Sequence, residues 1–142
     1  MKVYFENYSY YPALRTRSAE MTGLNNLSYE NKKKILPLIS FGKWPRSEEI
    51  QVSLDKSLEV MSNLPFILDV TKDNSHHCAS SFELLSPENG FKNWIEFCSR
   101  NDNIIPVVQM PDSAKLRDIS IQARVLEELK GSIAFRIRNL NT

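Results

Sequence analysis

Four arginines, one aspartate and one glutamate hold most of the chemistry open to this chain. Arg15 and Arg17 stand two residues apart, as do Arg136 and Arg138, and Asp69 closes the apolar run Phe66-Ile-Leu. Guanidinium forks match phosphate or carboxylate bidentately, so the four arginines are candidate contacts for a phosphate-bearing ligand. Gln109 joins them as a candidate ligand contact. The plainer reading is that Asp69 and Glu20 simply pair with these arginines, because confined charge needs a partner. As two carboxylates, Asp69 and Glu20 are also candidates for general acid–base work in a phosphodiester or glycosidic hydrolase.

Other reactive residue types lack workable spacing. Asp73, His76, His77 and Cys78 are all zinc-ligand types, but adjacent histidines point apart and no second cluster completes a tetrahedron, so no metal is expected. Cys78 beside His77 lacks the orienting third group of a nucleophile pair, and Cys98 falls on an apolar helical face; both read as inert. Glycine is confined to Gly23, Gly42, Gly90 and Gly131, which leaves no phosphate-cradling loop, and no cofactor is expected. The aromatic cluster Tyr4, Phe5, Tyr8, Tyr10 and Tyr11 could stack bases. It reads more simply as an N-terminal segment packing under a barrel floor or covering an exposed face. Lys32, Lys33 and Lys34 read as a solvated helix end beside its dipole.

The bulk properties frame these residues. A chain of 142 residues fits one domain, 1–142, with a real core. Charged residues make up 25% and the formal net charge is +1, so no global field recruits nucleic acid or an acidic membrane. Two cysteines make no disulfide framework, and a reduced, cytoplasmic setting is expected. The first residues lack the basic flank and long apolar core of a signal peptide. Nothing approaches the ~20 apolar residues of a membrane span, so no membrane partner is expected.

Five apolar, β-rich runs must position the candidate residues: 10–14, 35–41, 65–70, 104–110 and 132–137. Helical stretches separate them, which predicts an α/β fold with a parallel (βα)-repeat sheet. We read it as half of a TIM-like barrel with five strands and about four helices. Ser18, Ser47, Ser86 and either Asp112 or Ser113 are the expected helix caps. Ile50, Leu54, Leu58 and Met61 form one stripe, Phe91, Trp94, Ile95 and Cys98 a second, and Leu116, Ile119, Ala123 and Leu126 a third. Strand alternation then sorts inside from outside. Phe66, Leu68, Val70, Ile133, Phe135 and Ile137 should face the helices. Arg15, Arg17, Ser40, Asp69, Gln109, Arg136 and Arg138 should face the lumen near the C-terminal strand ends, where barrel enzymes keep their chemistry.

Several of these stretches, taken together, resemble a known family. Tyr11-Pro-Ala-Leu-Arg-Thr-Arg-Ser-Ala-Glu, Ile35-Leu-Pro-Leu-Ile, Phe66-Ile-Leu-Asp-Val, Ile105-Pro-Val-Val and Ala134-Phe-Arg-Ile-Arg are similar to successive strands of the bacteriophage "beta protein" family. The resemblance implies a phage- or prophage-related protein of unassigned biochemical role, matching the first half of longer barrels. It places the family's basic–x–basic–x–Gly–Glu pattern on Arg15, Arg17, Ala19 and Glu20, with alanine where glycine is usual. The family's acidic residue after strand three falls on Asp69 and its strand-five arginine on Arg136. Where the family commonly has glutamate after Pro-Leu-Ile, this chain has Ser40.

Five parallel strands leave two open edges and no helix after the last. Self-association, or a partner chain that completes the barrel, is the expected remedy, and the chain could be a piece of a longer protein. The functional expectation is a binding or interaction protein with an anion-friendly strand-end face. The alternative is an incomplete or degenerate TIM-barrel hydrolase acting on a phosphorylated or nucleic-acid substrate.

Overall fold

Among the described residues, the alternating runs fold into four parallel strands and six helices. The computed structural model describes residues 3–42, 44, 47, 49–71 and 79–137. A short turn at Phe5–Asn7 leads into β1 (Ala13–Arg15), α1 (Ser18–Asn25), α2 (Tyr29–Lys32), β2 (Leu38–Phe41) and α3 (Ile50–Val60). Then follow β3 (Phe66–Val70), α4 (Ala79–Leu84), α5 (Glu88–Cys98), β4 (Ile104–Pro106) and α6 (Leu116–Lys130). The strands lie in the order β1-β2-β3-β4, every neighbouring pair parallel. This is the half-barrel-like α/β sheet that the strand–helix order predicts.

The fifth run is present but thin. It joins the sheet through one parallel bridge, Val107↔Ala134, in which Ala134 N–H donates to Pro106 O at 2.9 Å and Val108 N–H to Ala134 O at 2.8 Å. Its outer side explains the short pairing. Ile133 packs on the helix-side core, but Phe135 is 56% and Ile137 68% exposed. A strand of a parallel sheet is stabilised by cover on both faces, and here one face lacks it.

Two apolar clusters flank the sheet. On the helix side, Ile39, Phe41, Phe66, Leu68 and Val70 meet Leu54 and Met61 of the α3 layer and Phe91, Trp94 and Phe97 of α5. The Trp94 indole N–H donates to Val107 O at 3.0 Å, so its polar end is satisfied within the core. On the lumen side, Leu36, Ile67, Ile105 and Val107 are covered by Val3, with Phe5 and Tyr8 against them. The N-terminal aromatics thus cover the face that would otherwise be open.

Helix ends depart from the sequence reading. Ser18 is the first residue of α1 and Arg17 takes the cap position. The cap positions of α3, α5 and α6 fall on Glu49, Pro87 and Lys115, none with a side-chain capping bond. Ser47 and Ser86 instead accept from Glu49 N–H at 3.2 Å and Glu88 N–H at 3.4 Å, tightening the approach to each helix. At α6 the expected stripe shifts. Leu116 is exposed, while Gln122, Leu126 and Lys130 are buried. Lys32 is buried as well, with Nζ 3.4 Å from Ser62 Oγ, so only the rest of the lysine run matches a solvated helix end.

Gly131 ends α6 in the left-handed conformation, φ 76°, as its position predicts. Gly90 serves packing. A Cβ there would lie 2.8 Å from Ile121 Cγ2, so its absence permits the close approach of α5 and α6. Among the described residues, no helix is long and apolar enough to cross a membrane.

Candidate functional site

Strand register assembles the site. Arg15 pairs with Ser40 across β1–β2, and Ser40 with Asp69 across β2–β3. In-register residues of neighbouring strands project to one face, so these three stand side by side at the C-terminal strand ends. Asp69 is 2% exposed. Its Oδ1 accepts from Val70 N–H and from Gln109 Nε2, both at 2.8 Å.

Arg136 reaches into this row from the fifth run. Its Nη1 donates to Ser40 Oγ at 2.9 Å and lies 3.3 Å from Asp69 Oδ2. Both contacts use one nitrogen. Nε and Nη2, which share the other edge of the guanidinium, find no acceptor among the described residues, and the side chain is 32% exposed. That edge is a bidentate fork of the kind that fits a carboxylate or phosphate.

A second layer holds Gln109 in place. Gln122 Oε1 accepts from Gln109 N–H at 2.7 Å, and Gln122 Nε2 donates to Gln109 O at 2.9 Å. Gln122 is fully buried on α6. A continuous chain of hydrogen bonds therefore runs from α6 through β4's end to Asp69, Arg136 and Ser40. Networks of this kind rigidify when each member is satisfied.

Arg15 and Arg17 line a small pocket beside the row, together with Thr16, Ser40, Gly42 and Thr71. Thr16 Oγ1 accepts from Gly42 N–H at 3.0 Å, and Ser53 Oγ donates to Gly42 O at 2.7 Å, which fixes the pocket's rear wall. Arg15 and Arg17 thus stand at the same strand ends as the Asp69–Arg136 pair.

Glu20 goes elsewhere. Its carboxylate accepts from the Arg15 backbone N–H, and the residue lines a groove on the helix side of β1. Asp69 and Glu20 are therefore separated by the span from β3 to the outer edge of β1, roughly 10 Å of sheet. The two carboxylates do not converge. Arg138 lies outside the described residues, as do Asp73, His76, His77 and Cys78. Among the described residues, no group of three or more histidines, cysteines or carboxylates is placed to hold a metal.

Sequence reasoning brings Asp69, Gln109 and Arg136 to one face, and the structure places them in direct contact. It misses Gln122 and the anchoring role of Ser40. Gln122 left a signal, being a polar residue between Ile119 and Leu126 on the inward side of a helix. Ser40 left its face, which alternation within its own strand gives, but not its contact with Arg136, 96 positions away.

Fold and site together define an α/β protein whose parallel sheet carries a Gln109–Asp69–Arg136–Ser40 network at its strand ends. The family model described as Beta protein matches residues 10–142, and the chain belongs to that family. A curated relative, "Protein beta" of Enterobacteria phage P4, is 99% identical over 142 residues. The match covers 100% of this chain and 40% of that relative, so the chain spans less than half the relative's length. The chain is therefore phage-related. No solved structure matches it.

Proposed function

We propose that this chain is a binding protein that holds an anionic group, phosphate or carboxylate, of its ligand at the strand-end face. The observation that carries the reading is the half-engaged guanidinium of Arg136. Ser40 and Asp69 anchor Nη1 and leave the Nε–Nη2 edge as a pre-positioned fork. Side-chain entropy is already spent on that anchor, so less is lost when an anion binds. Arg15 and Arg17 add positive charge at the same strand ends.

A hydrolytic role fits the geometry less well. Acid–base work on one bond needs two carboxylates converging on it. Asp69 is buried against Val70, Gln109 and Arg136, and Glu20 is engaged at the far edge of β1.

Titration with inorganic phosphate, followed by the side-chain Nε–H resonances of arginine in NMR, tests the proposal. The Arg136 resonance should shift on binding. Arg136→Ala should weaken phosphate binding by about tenfold or more, as loss of a charged bidentate contact implies. Arg136→Lys should fall between the two, because it keeps charge without the fork. Unchanged affinity in Arg136→Ala would refute the assignment.

A further inference from the structure

Among the described residues, no strand pairs with the outer edge of β1 and an open groove runs beside it. Toward β2, the first strand uses Pro12 C=O, bonded to Leu38 N–H at 2.8 Å, and Thr16 N–H, bonded to Ser40 O at 3.3 Å. The intervening residues Ala13 and Arg15 point their backbone groups the other way, as parallel pairing dictates. Glu20 meets the Arg15 N–H there, and no described strand pairs with that edge. Beside it runs an apolar groove of about 570 Å³ lined chiefly by Tyr10, Pro12, Leu14, Leu24, Leu27 and Ile35. It lies on the helix side of β1, where a parallel sheet carries a covering helix.

We propose that this edge and groove take a strand followed by a helix from the part of the longer phage polypeptide that lies beyond the matched length. The inference does not rest on the anion-binding reading. The phage P4 relative is 99% identical over this whole chain, so it carries the same groove. The match covers 40% of the relative, and the relative's remaining three-fifths is tethered to the same surface. Tethering turns docking into an intramolecular step at high effective concentration. The other end of the sheet is open in a matching way, with Phe135 and Ile137 exposed on the fifth run. Right-handed strand–helix units keep successive strands parallel, so further units of the longer polypeptide can meet β1 in the required direction. A second copy of this chain fits less well. It is not tethered, so its docking loses translational and rotational freedom that an attached segment has already given up.

Hydrogen exchange at the Ala13 amide provides the test, measured in this chain alone and in the whole phage P4 relative. The amide should exchange freely in the short chain and be protected at least about a hundredfold in the long one, as a formed strand pair requires. Leu27→Asp should remove much of that protection in the long protein. Leu27 is already 39% exposed here, so the substitution leaves this chain's own circular dichroism unchanged. Co-expressing this chain with the rest of the relative as a separate polypeptide should yield a one-to-one complex, weakened by Leu27→Asp and indifferent to Phe82→Ser on α4. Equal exchange in the two proteins, or protection that survives Leu27→Asp, would overturn the proposal. So would protection of the short chain alone that rises with concentration and doubles its mass, which would identify the occupant as a second copy.

Discussion

At the scale of single residues, Asp69 and Cys98 show what burial does to polar groups in this chain. Asp69 keeps its place because Val70 N–H, Gln109 Nε2 and Arg136 all meet it. Removing a partner from such a group leaves donors stranded, so Asp69→Ala should cost about 1–3 kcal/mol in urea denaturation. Cys98 lies fully buried at the end of α5. Burial pushes its thiol well above the ordinary 9.0, the Lys130 ammonium pulls it partly back, and Glu96 adds to the rise. In the unfolded chain the thiol ionises above 9.0, whereas in the fold it stays neutral. Stability from this group is therefore complete below 9.0 and declines as pH rises beyond it. Lys130 acts in the opposite sense. Burial lowers it from 10.5, while Cys98 and Asp102 hold it up, so the fold gains as pH rises toward 10.5. Removing the thiol isolates its share: as pH rises above 9.0, the melting temperature of Cys98→Ala should decline less than that of the parent chain. An equal decline in both proteins would show that another group sets it.

At the scale of elements, the linkage between α6 and the end of β4 decides how the site is held. Two hydrogen bonds from one buried amide, Gln122, satisfy both backbone groups of Gln109. Gln122→Leu keeps the volume but strands a buried N–H and C=O. The expected cost is about 1–3 kcal/mol for each group left unsatisfied. Gln109 should then lose its fixed orientation, and phosphate binding should weaken even though Arg136 is intact. Thermal unfolding and the same NMR titration measure the two effects separately. Lys130 performs comparable work at the base of α6. Its Nζ donates to Cys98 O at 3.0 Å and Asn101 O at 2.7 Å, satisfying carbonyls at and just beyond the C-terminal end of α5. The caps show why element ends were less legible than element faces. A stripe such as Ile50, Leu54 and Met61 repeats and is buried as expected. A cap is one residue, and Ser47 or Ser86 can serve the approach to a helix as readily as its first turn.

At the scale of the whole molecule, the sheet has a covered lumen face and, among the described residues, no strand beyond β1 or the fifth run. Val3, Phe5 and Tyr8 sit against Leu36, Ile67, Ile105 and Val107, and Val3 N–H donates to Ser132 Oγ at 2.9 Å. The first segment thereby ties the lumen face to the start of the fifth run. Deleting residues 1–8 should expose that face. Stability should drop by at least about 2 kcal/mol, in line with the loss of buried apolar side chains. Binding of a hydrophobic dye should rise in the same variant. If the dye signal stays flat, another part of the chain has taken over the cover.

The alternation of strands and helices, their parallel direction and the faces of the central strands were readable from residue order, but about four helices were expected where six form among the described residues. Apolar periodicity is a local property, and each run of Val, Ile, Leu and Phe announces its own burial. So was the gathering of Arg15, Asp69, Gln109 and Arg136 at the strand ends, because alternation within a strand sets the face of each residue. What the tertiary structure alone decided was contact. Ser40 meets Arg136 across 96 positions of sequence, Gln109 meets Asp69 across 40, and Glu20 turns to the open edge instead of joining Asp69. Such pairings depend on register and on helix position over the sheet. These are set by how the whole core packs, and no stretch of sequence read by itself contains them.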